Sequence, residues 1–173
     1  NGIYKETGLV TFHGPVGSTL NDAYSINEFE KVLMHPKKKT LIENVTLDEK
    51  LKKDSEFERY TITSGSATGK LVGGSLTLIN ALIGTPHEID FTGTIDRMLT
   101  QLIEGPTFNK AVAIMIGVCK GCDKPAKPDT FTLKEVILDR IKPLGIPAAY
   151  GMSFGHVANN FTIPIGIAAN FNA

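Results

Sequence analysis

Apolar residues recur at helical spacing in four stretches of the chain. Ile26, Phe29, Val32 and Leu33 predict a helix over residues 25–34 with one buried face, and Ser25 and Glu28 have the spacing of a capping box at its start. Pro36 ends it. Leu76, Ile79, Leu82 and Ile83 predict a second helix over residues 75–83, stopped by Gly84. Ile95, Met98, Leu99, Leu102 and Ile103 predict a third over 94–104, packed on a core. Leu133, Val136, Ile137 and Ile141 lie on one side of a fourth, over 132–141, capped by Thr132. Between them, shorter runs read as strands: residues 8–12, ending at His13-Gly14-Pro15; residues 59–63, which alternate; and residues 111–118, apolar throughout and so expected to be buried on both faces. Pro143-Leu144-Gly145 turns the chain into another strand at 146–150. Helices and strands alternate, with strand content rising toward the C-terminus, which is the pattern of an α/β domain.

The connections carry several motifs whose first reading is chemical. Gly65-Ser66-Ala67-Thr68-Gly69-Lys70-Leu71 resembles a phosphate loop, but it has three residues between its glycines instead of four, and Leu71 where Ser or Thr must reach magnesium. The glycines of residues 64–74 are read instead as positions of positive φ or close backbone approach. Cys119-Lys120-Gly121-Cys122 is a CxxC without a second pair to complete a zinc site, and it ends a strand where a redox motif would open a helix; two ordinary thiols are expected. Residues 28–59 hold eight charges of each sign, including Lys37-Lys38-Lys39, and read as a solvated surface excursion. Asp96 sits in the first turn of its helix, where a carboxylate favours the dipole, and His35 and His87 read as surface loop residues.

Composition narrows the partners. Eighteen basic and eighteen acidic residues cancel, so neither a nucleic acid nor an anionic membrane is expected to bind. No apolar run approaches the roughly 20 residues that span a bilayer, and Asn1 to Glu6 lack the order of a signal peptide, so a cytoplasmic protein is expected. At 173 residues the chain is long enough for one domain over 1–173.

The stretch most suggestive of chemistry is Tyr150-Gly151-Met152-Ser153-Phe154-Gly155-His156, followed by Thr162-Ile163-Pro164-Ile165-Gly166. It reads as a strand, a tight connection and a strand, holding one imidazole at a strand end. Spacing alone does not make that histidine catalytic. However, Gly151-x-x-x-Gly155-His156 with Thr162-x-Pro164-x-Gly166 resembles the C-terminal signature of the LD-carboxypeptidases, serine peptidases that include the microcin-immunity peptidases. Three more stretches resemble the family in the same order. These are Gly8 to Pro15, Gly69 to Leu76 with Leu82 to Pro86, and Ile95 to Leu102; the family more often has Asn at Ser75.

The resemblance implies the family's C-terminal domain, a swivelling β/β/α unit, with the N-terminal nucleophile domain absent. It implies a Ser-Glu-His triad of which this chain carries only His156, the general base and then general acid. No metal or cofactor is implied. The nucleophile would belong to a Gly-Tyr-Ser-Asp-like motif upstream of Gly8, since Tyr24-Ser25 is followed by Ile26. The glutamate would belong to an acidic segment absent between Gly93 and Thr94. A join closed over an omitted loop predicts Cα atoms there far more than ~3.8 Å apart. The implied partners are a murein peptide substrate and the protein's own N-terminal domain, with a homodimer as a further possibility. The implied reaction is removal of the terminal D-alanine from a murein tetrapeptide in peptidoglycan recycling, the fragment alone being inactive. The alternatives are a peptidase acting on a peptidyl-nucleotide, and a binding or dimerisation module without catalysis. His13, beside Gly14-Pro15, is read as a structural histidine that could line the cleft, and Asp90 and Asp96 as poor substitutes for the missing acid.

Overall fold

The structure, a computed structural model, describes residues 2–53, 57–76, 95–122, 131–155 and 157–173. The helix expected at 75–83, His87, Asp90, the Gly93–Thr94 join and His156 lie outside the described residues.

The best-packed part is a sheet in the order β2 (Tyr60–Thr63), β5 (Ala148–Gly155), β4 (Ile114–Val118), with β2 antiparallel and β4 parallel to the central strand. Helix α4 (Leu133–Ile141) makes the crossover between the two parallel strands, as such strands require. Its start is a complete capping box, Thr132 accepting from the Glu135 amide while Glu135 accepts from that of Thr132. Leu133, Ile137 and Ile141, spaced four residues apart, face the sheet and bury with Ile62, Ala148 and Tyr150; Leu99 of α3 (Ile95–Glu104) joins them. Asp96 of α3 forms an ion pair with Arg140 of α4, tying the two helices together on the solvent side.

The run 111–118 is not the fully buried strand expected. Within it only Ile114–Val118 is extended, and only Val118 is buried, because among the described strands β4 has one neighbour and stands at the sheet's edge. The glycine-rich stretch 64–74 is also more regular than its composition suggests: Ser66–Lys70 is strand β3, paired antiparallel with β7 (Ala168–Asn172). It therefore cannot wrap a phosphate. Helix α1 (Gly2–Thr7) leads into β1 (Thr11–His13), which pairs with β6 (Ile163–Ile165) around a smaller core of Phe161, Ile163 and Ile165.

Helix α2 (Ala23–Phe29), extended by a wider turn over Glu30–Met34, departs from expectation at its start. Asp22, not Ser25, is the N-cap, its side chain accepting from the Ser25 amide. The helix consequently begins earlier than the apolar period indicates and buries Ser25, Glu28 and Val32, while Ile26 stays 40% exposed. No described helix is long and apolar enough to cross a membrane.

Candidate functional site

Beyond Tyr150, strand β5 leaves the aliphatic core and its neighbours become polar. Gly151 (φ 86°) lies so close to the preceding segment that a Cβ there would stand 2.7 Å from the Glu58 carbonyl oxygen. Arg59 closes over it, Nε donating to the Gly151 carbonyl at 3.1 Å and a terminal nitrogen to Ser153 Oγ at 3.2 Å. Ser153 is buried; its Oγ also accepts from the Val45 amide at 2.9 Å, and its own amide donates to Asn44 Oδ1 at 2.8 Å. The Tyr24 hydroxyl donates to the Glu43 carbonyl. Burial, with the charge of Glu28 behind it, pushes that phenol up to about 12. The charged excursion is thus held on β5 at its middle, through Asn44 and Val45, and at its end, through Arg59, although its Lys37-Lys38-Lys39 run is exposed as expected.

Strand β5 runs without interruption to Gly155, so both glycines of the signature belong to the strand rather than to a connection after it. Gly155 (φ 127°) pairs with Val118 at the end of β4, where a Cβ would meet the Val118 carbonyl oxygen at 2.4 Å. Only glycine fits that approach. Directly after Val118, Cys119 and Cys122 are joined in a disulfide, not held as the two thiols expected. The Cys122 amide donates to the Cys119 carbonyl, and this turn sets the Cα atoms 5.6 Å apart, within bridging range.

The chain after position 156 is held as closely. Val157 and Asn160 are buried, and Asn159 has φ 61°, the lone positive value outside glycine among the described residues. The Asp22 carboxylate accepts from the Asn159 amide (3.2 Å) and side-chain nitrogen (2.9 Å), and from the Ser25 amide (2.8 Å) and hydroxyl (2.6 Å). Ser25 Oγ in turn accepts from the Asn160 amide at 2.9 Å. Burial raises the Asp22 carboxyl, but the four hydrogen bonds outweigh it and leave the group below its ordinary value. Phe161 then returns beside β5, its amide donating to the Ser153 carbonyl at 2.9 Å.

Position 156 is therefore flanked on one side by Gly155, fixed on β4, and on the other by a loop fixed on α2. His13, at the end of β1, is exposed, and so is His35. Asp96 gives its carboxylate to Arg140 on the helical side of the domain. Among the described residues no three His, Cys, Asp or Glu side chains gather as a metal-ligand set. Apolar periodicity passed over Asp22, Asn159 and Asn160. The available signal was chemical: two cap-competent residues three apart at 22 and 25, and a doubled Asn, tolerant of left-handed backbone, shortly after the histidine.

Residues 68–171 match the family described as the LD-carboxypeptidase C-terminal domain. A probable murein peptide carboxypeptidase of Bacillus subtilis is 33% identical over 187 aligned positions, covering 98% of this chain and 55% of the relative. Among solved structures, an MccF-like protein of Bacillus anthracis superposes with a TM-score of 0.65 at 25% identity, covering 100% of this chain and 60% of the other. A muramoyltetrapeptide carboxypeptidase of Oxalobacter formigenes does so with a TM-score of 0.66 at 21% identity, covering 96% and 58%. The chain spans about half the length of the curated relatives it matches. It belongs to the LD-carboxypeptidase family, whose C-terminal domain it contains.

Proposed function

We propose that this chain is the histidine-bearing domain of a serine LD-carboxypeptidase that removes the terminal D-alanine from murein tetrapeptides in the cytoplasm, in peptidoglycan recycling. A serine of the N-terminal domain attacks the amide carbonyl between the L-centre and D-alanine. His156 takes the serine proton, then gives it to the departing amine; water hydrolyses the acyl-enzyme by the same route. A glutamate from a segment between Gly93 and Thr94 orients the imidazole. The alignment to the B. subtilis relative runs over 187 positions against 173 residues here, so the relative has residues without a counterpart, as such a segment requires.

The observation that carries this reading is the family match over 68–171, which includes position 156. The glycine-walled strand end on one side of that position and the anchored loop on the other support it. The test is D-alanine release from a murein tetrapeptide by the full-length protein. His156→Ala should lower turnover by about a thousandfold or more, as removal of a triad base does, and residues 1–173 alone should release none. Near-wild-type turnover in His156→Ala overturns the assignment.

A second reading is favoured by the MccF-like neighbour at 25% identity: a peptidase of the same triad acting on a peptidyl-nucleotide. Assaying both substrates side by side separates the two. A full-length protein inactive on either points instead to a binding or dimerisation module, which sizing by light scattering tests.

A further inference from the structure

The hydrogen bonds of Asp22 exceed what a helix cap needs. A capping side chain satisfies one amide in the first turn, and here the Ser25 amide does so at 2.8 Å. The same carboxylate takes two further donors from Asn159, 137 residues away in sequence, and the hydroxyl it holds accepts from Asn160. Asn160 Nδ2 then donates back to the Val157 carbonyl. Asn159 and Asn160 are therefore tied directly to Asp22 and Ser25 at the start of α2, and Val157 is tied to them through the Asn160 side chain. Asn159 keeps its left-handed backbone inside this lattice.

We propose that Asp22 is a positioning residue for catalysis. With Ser25 it latches the loop 157–160 to α2, fixing where the chain leaves position 156 and so where His156 presents its imidazole. The inference rests on the reading of His156 as the triad base. Gly155 is already fixed against Val118. With the latch closed, His156 joins two anchored points; with it open, only one remains.

Asp22→Asn separates this role from capping. Asn caps a helix as well as Asp does, but a single carbonyl oxygen cannot serve four donors. In the full-length enzyme, Asp22→Asn is expected to lower kcat about tenfold to a hundredfold, the scale of small misplacements of a catalytic group. KM should stay within twofold and the melting temperature within a few degrees. Asn159→Gly keeps the positive φ and the amide but removes the side-chain donor, and should lower kcat in the same direction. The double variant should be no worse than Asp22→Asn, because both break one latch. A kcat within twofold of wild type in Asp22→Asn, a loss matched by the fraction unfolded, or additive effects in the double variant overturns the latch. His156→Ala, assayed alongside, keeps the two claims apart. If it is inactive while Asp22→Asn is unaffected, the latch alone fails; if it is active, the base assignment fails and the latch with it.

Discussion

Helices α2 and α4 each bury three residues at nearly the same spacing, yet what they bury is opposite in character. In α4 these are Leu133, Ile137 and Ile141; in α2 they are Ser25, Glu28 and Val32. Helical geometry dictates the spacing in both cases. The surface opposite decides the chemistry. Helix α4 faces a sheet whose backbone is already paired and needs only apolar area removed from water. Helix α2 faces a loop whose amides have no strand to bond to, so it must supply oxygen atoms, and Asp22 and Ser25 do. Glu28 is buried as well, with one oxygen on Lys31 and the other among the few buried side-chain atoms without a partner in the described residues.

The first way to break this comparison is to injure the aliphatic side. Ile137 is 1% exposed under α4, and Ile137→Ala should cost about 3–4 kcal/mol through lost burial and a residual cavity. The urea midpoint of the full-length protein measures it. A cost under 1 kcal/mol, taken as a rough floor for a buried site, would mean that α4 is not the principal cover of the sheet.

The same contrast explains what could be read in advance. The third and fourth periodic stretches lie where expected because an apolar face against a sheet writes itself into the sequence, down to the cap at Thr132. The first stretch misled at its start. Its buried face is half polar, so apolar periodicity selected Ile26, which is exposed, and took Ser25 for the cap. The end of β5 was legible in part: its glycines stood out, since close backbone approach leaves glycine as its mark, but they were read as a connection after a strand at 146–150 and belong to the strand itself. Its supports were not. Asp22 and Asn159 are joined across 137 residues, and no local pattern encodes a contact that distant. The CxxC was misread for a related reason, because its state depends on a turn after β4 and not on the spacing of its cysteines.

The disulfide sharpens the comparison from the rim of the aliphatic side, where Cys119 and Cys122 pack against the main core. Closing so short a loop contributes about 2 kcal/mol on the chain-entropy account. Cys119→Ser should lower the urea midpoint accordingly, and a reducing agent should lower the wild-type midpoint while leaving that of the variant unchanged. A wild-type midpoint indifferent to reductant would place the bridge outside the stabilising set.

On the polar side the effects should be smaller in stability and larger in turnover. Asp22→Ala removes the cap together with the latch and should cost about 1–2 kcal/mol, more than Asp22→Asn. The Asp22 carboxyl lies below its ordinary value of 3.8, so its contribution is complete above that pH and is lost as pH falls through the lower, folded value. Wild type should therefore lose stability more steeply than Asp22→Asn on acidification below 3.8. Parallel acid curves for the two proteins would show that the carboxylate contributes no more than the amide.

Tyr24 gives the smallest effect and the one most specific to this side of the molecule. Its hydroxyl donates to the Glu43 carbonyl, and burial beside Glu28 raises the phenol from 10 to about 12. Because the folded pKa is the higher, folding favours the protonated form. The stability due to this group is complete below pH 10 and is lost as pH rises from 10 to about 12. Tyr24→Phe loses the hydrogen bond at every pH but removes the titration, so its unfolding free energy should decline less steeply across that interval. Ile137→Ala, which touches nothing ionisable on the polar side, should keep the wild-type slope while shifting the whole curve downward. If instead Ile137→Ala flattened the alkaline limb as Tyr24→Phe does, the two sides would not be energetically separable. The polar face of α2 could then no longer be treated as a region whose hydrogen bonds serve the loop after position 156 rather than the core.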